Sequence, residues 1–239
     1  MEEEFLVIRY RFEAADGTRA EFVATMDRET MEAREPEGDP PPWTALDFRQ
    51  CPHCPLDPQE HPHCPAAVQL PALLEAFDHL PSHAEARVEV SSAERTVSHE
   101  TSVQQGMGAL MGLLMATSGC PVMAFFRPMA RFHLPFATPE ETTFRAVSTY
   151  LLATYLRARE TGEEPSWSLD GLTEIYRDVH VLNKAMAERI RAATSTDSSV
   201  NALIVLDMLA VTLPMDVGAH LPGIRETFQA FLRTGRGED

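Results

Sequence analysis

Hydrophobic and polar residues alternate with a period of two through the first hundred residues, as they do in strands with one buried face. The clearest alternation lies on both sides of the turn "ADGT", where a β-hairpin is predicted. The residues predicted to share its buried face are Leu6, Ile8, Tyr10, Phe12, Ala20, Phe22, Ala24 and Met26. "AEARVEV" and "ERTVSHET" predict two more strands, and "TALDF" predicts a short one. "PALLEAFDHL", between these strand groups, predicts a helix.

From residue 102 the hydrophobic spacing becomes that of a helix. In "SVQQGMGALMGLLMATSG", Gly106, Gly108 and Gly112 lower the helix propensity, so we expect close packing against a neighbouring element. The next helix has a strong start signal, with Thr138 as N-cap and Glu141 completing a capping box. Three further helices are predicted in "LDGLTEIYRDVHVLNKAMAERIRAA", "SSVNALIVLDMLAVTL" and "GIRETFQAFLR".

These patterns predict an α+β fold, in which a small antiparallel sheet with a cysteine-rich loop precedes a mainly helical bundle. The predicted division places the sheet, one helix and the loop at 51–65 in residues 1–101. The bundle takes residues 102–239, and we expect both parts to pack as one unit.

Composition narrows the choice of function and compartment. The chain of 239 residues carries a net charge of −16, which repels nucleic-acid phosphates. The start "MEEEFLVIRYRF" lacks the features of a signal peptide, and "MGALMGLLMA" is too short to cross a bilayer. We therefore expect a cytoplasmic protein that binds neither nucleic acid nor membrane, and whose cysteines stay reduced.

The segment "CPHCPLDPQEHPHCP" concentrates the candidate chemistry. Its spacing, Cys51-x2-Cys54-x9-Cys64, allows two thiolates from one tight turn and a third from nearby to reach the same metal ion. The interleaved histidines His53, His61 and His63 are alternative ligands. The pattern predicts a metal site in this loop.

Cys120 is the candidate fourth ligand, because all four cysteines of the chain directly precede a proline. In one ligand set the four cysteines hold a [4Fe–4S] cluster or a zinc ion. In the other, the three loop cysteines and His61 or His63 hold zinc, and Cys120 is separate. Pro55 follows Cys54 and has no backbone N–H. It therefore cannot donate the N–H···S hydrogen bond that stabilises zinc knuckles, so we favour the cluster.

A second hypothesis gives Cys120 a catalytic role. The sequence predicts a helix start at Pro121, where the helix dipole favours a thiolate. Downstream, Arg127 and Arg131 fall on one helix face and His133 follows. A thiol enzyme could use Cys120 with His133 as base, and the two arginines could hold an anionic substrate. A third hypothesis is an interaction module in which zinc only stiffens the loop, with a protein or redox partner.

Several segments together resemble an uncharacterised bacterial family of conserved hypothetical proteins. They are "CPHCPLD", "HPHCPAA", "MATSGCPV" and "RPMARFHLPFATPEET". The resemblance spans nearly the whole chain and is most specific from Ser118 to Thr142. It implies a bacterial, cytoplasmic protein and treats the four cysteines as one set. It implies no activity.

Overall fold

The computed structural model describes residues 4–194, 198–219 and 221–233. The chain forms two compact units, one from residues 1–136 and 178–208, the other from residues 137–177 and 209–239. Two long helices run from one unit into the other.

A four-stranded antiparallel sheet organises the first unit, with the strand order β2-β1-β3-β4. The strands are β1 (Phe5–Ala14), β2 (Arg19–Asp27), β3 (Glu85–Ser91) and β4 (Thr96–Ser102). Tyr10 of β1 lies opposite Phe22 on one side and Val90 on the other. The buried positions of β1 alternate as the sequence predicts, and the predicted hairpin is confirmed.

The helices occupy most of the remaining chain, and the predicted α+β class is confirmed. In chain order they are α1 (Pro65–Val68), α2 (Pro71–Phe77), α3 (Val103–Thr117), α4 (Arg127–Arg131), α5 (Pro139–Thr161), α6 (Asp170–Ala193), α7 (Ser198–Gly218), α8 (Pro222–Thr227) and α9 (Gln229–Leu232). The described residues also include two 3₁₀ helices, Pro42–Thr44 and Pro121–Phe126.

Helix α3 lies against the buried face of the sheet, and its glycines explain how closely it approaches. A Cβ atom on Gly106 would stand 2.5 Å from the Phe12 ring, and one on Gly108 would stand 3.0 Å from the carbonyl oxygen of Ala202. The first contact seats α3 on the sheet and the second seats it against α7. The close packing predicted for this glycine-rich helix is therefore confirmed.

In the second unit, α5 begins with the predicted capping box. The Thr138 side chain accepts a hydrogen bond from the Glu141 amide, and the Glu141 carboxylate accepts one from the Thr138 amide. The Thr143 hydroxyl, 3.3 Å from Asp216, connects α5 to the later part of α7.

One predicted element is wrong, and one predicted helix is interrupted. "TALDF" is not a strand: Thr44 ends a 3₁₀ helix, and only the isolated bridge between Ala45 and His63 follows. The carbonyls that a neighbouring strand would need are bonded instead to the guanidinium of Arg189. "GIRETFQAFLR" forms two short helices, α8 and α9, that are separated at Phe228.

One described helix segment, Ser199–Gly218, is long and apolar enough to cross a membrane by length and composition. Helix α3 and the segment Pro121–Arg131 would meet the same test only as a pair, and they are bent by 112°. Core helices of soluble proteins pass this test too, so it is weak evidence.

Candidate metal centre

Cys51 and Cys54 stand at the two ends of one tight turn. The amide of Cys54 donates to the carbonyl oxygen of Cys51 at 3.0 Å, with Pro52 at the second position, where β-turns favour proline. The side-chain amide of Gln50 donates to the carbonyl of Leu56 at 3.0 Å and closes the loop around the turn. Both thiols are therefore half-buried on a short, hydrogen-bonded loop.

Cys64 and Cys120 occupy equivalent positions in two other elements. Each is the N-cap of a short helix with proline as its first residue, and their backbone angles are nearly equal: φ −71° and ψ 118° for Cys64, φ −63° and ψ 124° for Cys120. Both side chains are buried. The helices that they cap, α1 and Pro121–Phe126, both pack against α3.

The four thiols lie close enough for their charges to influence one another. Burial, followed by the neighbouring thiols of Cys64, Cys120 and Cys54, raises the pKa of Cys51 to about 12. Burial also raises the pKa of Cys120 to about 11, and Cys64 and Cys54 contribute to the rise. The amides of Val122 and Met123 partly offset it. Thus Cys120 belongs spatially with the loop cysteines, although more than fifty residues separate them.

The four thiols influence one another electrostatically, but they are not arranged as metal ligands in this structure. Within the described ranges, no three His, Cys, Asp or Glu side chains form a group that could hold a metal ion as they stand. The two observations agree because charges act over longer distances than a metal–sulfur bond, which measures about 2.3 Å for zinc. A metal centre here would need the thiols to turn inward as it binds.

Arg189 of α6 is the residue that anchors this region. It is 1% exposed, and its guanidinium donates to the carbonyls of Trp43, Ala45 and Leu46 at 2.9, 2.7 and 3.0 Å. This segment in turn accepts the amide of Cys64 at Thr44, at 2.8 Å. The charge of Arg189 also acts against the rise in the pKa of Cys51. Arg189 therefore both positions the region and offsets negative charge on Cys51.

The three loop histidines differ in what surrounds them. His53, between Cys51 and Cys54, has a buried Nε2 atom without a hydrogen-bond partner among the described residues. His63 contacts the Thr44 hydroxyl through Nδ1 at 2.9 Å. That hydroxyl donates its proton to Pro41, so Nδ1 is the donor to it and Nε2 of the neutral ring keeps its lone pair. His61 is exposed.

The residues of the enzyme hypothesis lie in different settings. Gly119, with φ +82°, lies between the end of α3 and the next helix. That helix starts at Pro121, as predicted. The Nε2 atom of His133 is 2.6 Å from the Tyr10 hydroxyl. Arg127 forms an ion pair with Glu32 at 3.0 Å. The side-chain charges that most affect the pKa of Cys120 are those of Cys64 and Cys54, rather than those of His133 or the two arginines.

The anchoring role of Arg189 and the hydrogen bond of the Tyr10 hydroxyl were not predicted from the sequence. Arg189 lies in a helix rich in arginine and glutamate, where nothing distinguishes it from its exposed neighbours. A weak signal existed for the carbonyls that it binds, because the prolines before Trp43 make a strand there difficult. Tyr10 was predicted as a core residue, and its hydroxyl partner lies 123 residues away.

The structure thus defines an α+β protein whose four cysteines lie within electrostatic range of one another, with a buried arginine acting on Cys51. The chain belongs to the family described as a domain of unknown function (DUF6901), whose model matches residues 8–229. No curated protein and no solved structure matches the chain significantly.

Proposed function

We propose that the protein binds one metal centre through Cys51, Cys54, Cys64 and Cys120. The observation that carries this proposal is the electrostatic influence between Cys120, at a helix start, and the cysteines of the loop. A centre with four cysteine ligands has no open coordination position. Its role is therefore structural, electron-transferring or redox-sensing, rather than catalysis at the metal.

The environment fits such a group in two respects. Burial and neighbouring thiols raise the pKa of Cys51 and of Cys120, and a bound cation would supply the positive charge that their thiolates need. The unpartnered Nε2 atom of His53 is a buried polar group that a centre at this position could supply with a partner, since His53 lies between Cys51 and Cys54 in the chain.

An iron–sulfur cluster is favoured over zinc as the identity of the centre. Each cysteine is followed by proline, a combination familiar from cluster-binding loops. Pro55 also lacks the N–H that would bond to the Cys54 sulfur in a zinc knuckle. The cytoplasm is the proposed compartment, because reducing conditions keep thiols free for metal.

Anaerobic purification followed by analysis of iron, sulfide and zinc, together with a visible spectrum, tests this proposal. A brown protein with iron and sulfide supports the cluster. A colourless protein with stoichiometric zinc supports the four-cysteine centre and removes the cluster. Protein without metal under either condition contradicts the proposal.

A second candidate function is protein interaction, and the observation that favours it lies in the second unit. Large apolar side chains there are exposed, with Trp167 61% and Met215 66% accessible, and Leu152, Tyr155 and Leu156 about half accessible. Exposed apolar surface is typical of binding surfaces. Light scattering on wild-type protein and on Leu156→Asp would detect self-association through this surface. If the partner is a different protein, Leu156→Asp should lose binding to that protein once it is isolated.

A further inference from the structure

A surface pocket lies beside the sheet, at the end where the turn between β3 and β4 meets the segment after α4. It holds about 50 Å³, room for a few water molecules. Its floor is apolar and includes Leu6, Ile8 and Val97. Its polar lining is Ser91, Ser92, Glu94, Arg95, Arg131 and His133.

The arginines at this pocket lack the carboxylate partners that many others in the chain have. Within the described parts of the chain, Arg95 and Arg131 form no ion pair closer than 4.0 Å, although acidic residues outnumber basic ones by 36 to 20. Arg28 lies near enough for its charge to act on Glu94, and its buried Nε atom has no partner among the described residues. The chain is strongly acidic, but this pocket gathers positive charge.

Glu94 is the one carboxylate of the pocket lining, and it is turned to a local partner. The Ser92 hydroxyl donates to it at 2.9 Å. That bond, then the backbone amide of Glu94, and the charges of Arg28 and Arg131 lower its pKa. Glu94 is therefore ionised at neutral pH, and it offsets one of the three positive charges around it.

His133 is held in one orientation at the pocket. Tyr10 is fully buried, and burial raises the pKa of its phenol, so the hydroxyl keeps its proton in its hydrogen bond with Nε2 of His133. The neutral ring carries a proton on one of its two nitrogens, and both nitrogens carry one when the ring is charged. In both states the imidazole brings no negative charge to the pocket.

We propose that this pocket binds a small oxyanion, with Arg95 and Arg131 supplying the charge. Arginine presents paired N–H donors that match the oxygens of phosphate and carboxylate groups. The volume suits inorganic phosphate or a short carboxylate rather than a nucleotide. The site uses none of the cysteines, so it stands or falls independently of the metal centre.

The test is a titration of the full-length protein with inorganic phosphate, and separately with acetate, while melting temperature is measured at constant ionic strength. We expect a saturable rise with at least one of them, and none when chloride replaces it. The rise should disappear in Arg131→Gln and in Arg95→Gln. It should remain in Arg157→Gln, which removes the same charge from an exposed ion pair in the second unit.

A fourth variant separates binding from mere stabilisation of the fold. Glu94→Gln removes the negative charge of the pocket lining and should tighten binding several-fold, whereas loss of the Ser92 contact alone would not. Arg95 is exposed in the turn after Ser92, so Arg95→Gln gives the answer if Arg131→Gln fails to fold. A rise equal to that with chloride, or equal in wild type and Arg95→Gln, overturns the proposal.

Discussion

The two halves of the cysteine cluster are built differently. Cys64 and Cys120 are buried N-caps with nearly the same backbone angles, and both of their helices pack on α3. Cys51 and Cys54 are half-buried in a turn that is held by hydrogen bonds within the loop, from Cys54 to Cys51 and from Gln50 to Leu56. The first pair is therefore placed by the core of the unit. The second pair depends on a short loop, which can adjust when a metal centre forms.

This difference suggests how the proposed centre assembles. The helix-bound pair offers two fixed ligand positions, and the loop pair closes over the metal. Metal binding then joins segments of the chain that are far apart in sequence, and part of its free energy becomes folding free energy. Substitutions can perturb the helix-bound pair and the loop pair separately.

The largest expected effect comes from removing a ligand from each half. Cys120→Ser and Cys54→Ser should each lose most of the bound metal. Each should also lose metal-dependent stability on the order of several kcal/mol. Metal content per chain and the melting temperature of aerobically and anaerobically prepared protein measure this.

The same two variants without metal provide the control. Serine is a good N-cap. The free energy of unfolding of metal-free Cys120→Ser should therefore lie within about 1 kcal/mol of that of metal-free wild type. Full metal retention in Cys120→Ser would contradict the four-cysteine set. It would leave a loop site completed by His61 or His63, which His61→Ala and His63→Ala would then identify.

Arg189→Met should cause the next largest effect, because it removes the anchor of the segment beside Cys64. Three carbonyls lose charged donors in a buried setting, and we expect a loss of about 3 kcal/mol in the free energy of unfolding. Urea unfolding of the metal-free protein measures it. Arg191→Met, an exposed position in the same helix, is the matched control. Equal losses in both variants would remove the anchoring role.

Gly106→Ala tests the platform that carries the helix-bound pair. The added methyl group would meet the Phe12 ring, which cannot move freely because its neighbour Phe77 packs edge-on at 4.6 Å between centroids. Overpacking of this kind costs about 1–3 kcal/mol. Gly218→Ala is the control, since its new methyl group meets open space. A Gly106→Ala protein as stable as the control would show that α3 can shift without cost.

The sequence predicts local elements of the fold better than long-range contacts, for a physical reason. Strand alternation, the capping box at Thr138 and the helix start at Pro121 are local signals, and each is confirmed. The bonds of Arg189 span more than 140 residues, so no local pattern reveals them. The same bonds explain why "TALDF" is not a strand. The four-cysteine set was predicted from the repeated Cys-Pro pairs and from the family resemblance, and both this set and metal binding stay predictions.

The smallest expected effect concerns pH and the metal-free thiols. The pKa of Cys51 is raised from 9.0 to about 12, and that of Cys120 to about 11, so the folded state holds protons that the unfolded chain gives up first. Stability is therefore unaffected below about pH 8, starts to fall as pH approaches 9.0, and continues to fall until the folded thiols ionise. The slope for Cys51 should stay below about 1.4 kcal/mol per pH unit, because its side chain is only half-buried.

Cys51→Ser isolates this contribution. Wild type and variant share every other titrating group. The unfolding free energy of wild type minus that of the variant should therefore fall from about pH 8 to about pH 10, in chelator and reductant. Wild type should lose stability faster, because the variant has one raised thiol fewer and the remaining three repel each other less when ionised. Parallel curves would mean that Cys51 ionises equally in both states. The thiol would then lie outside the shared burial from which the four-cysteine centre is argued.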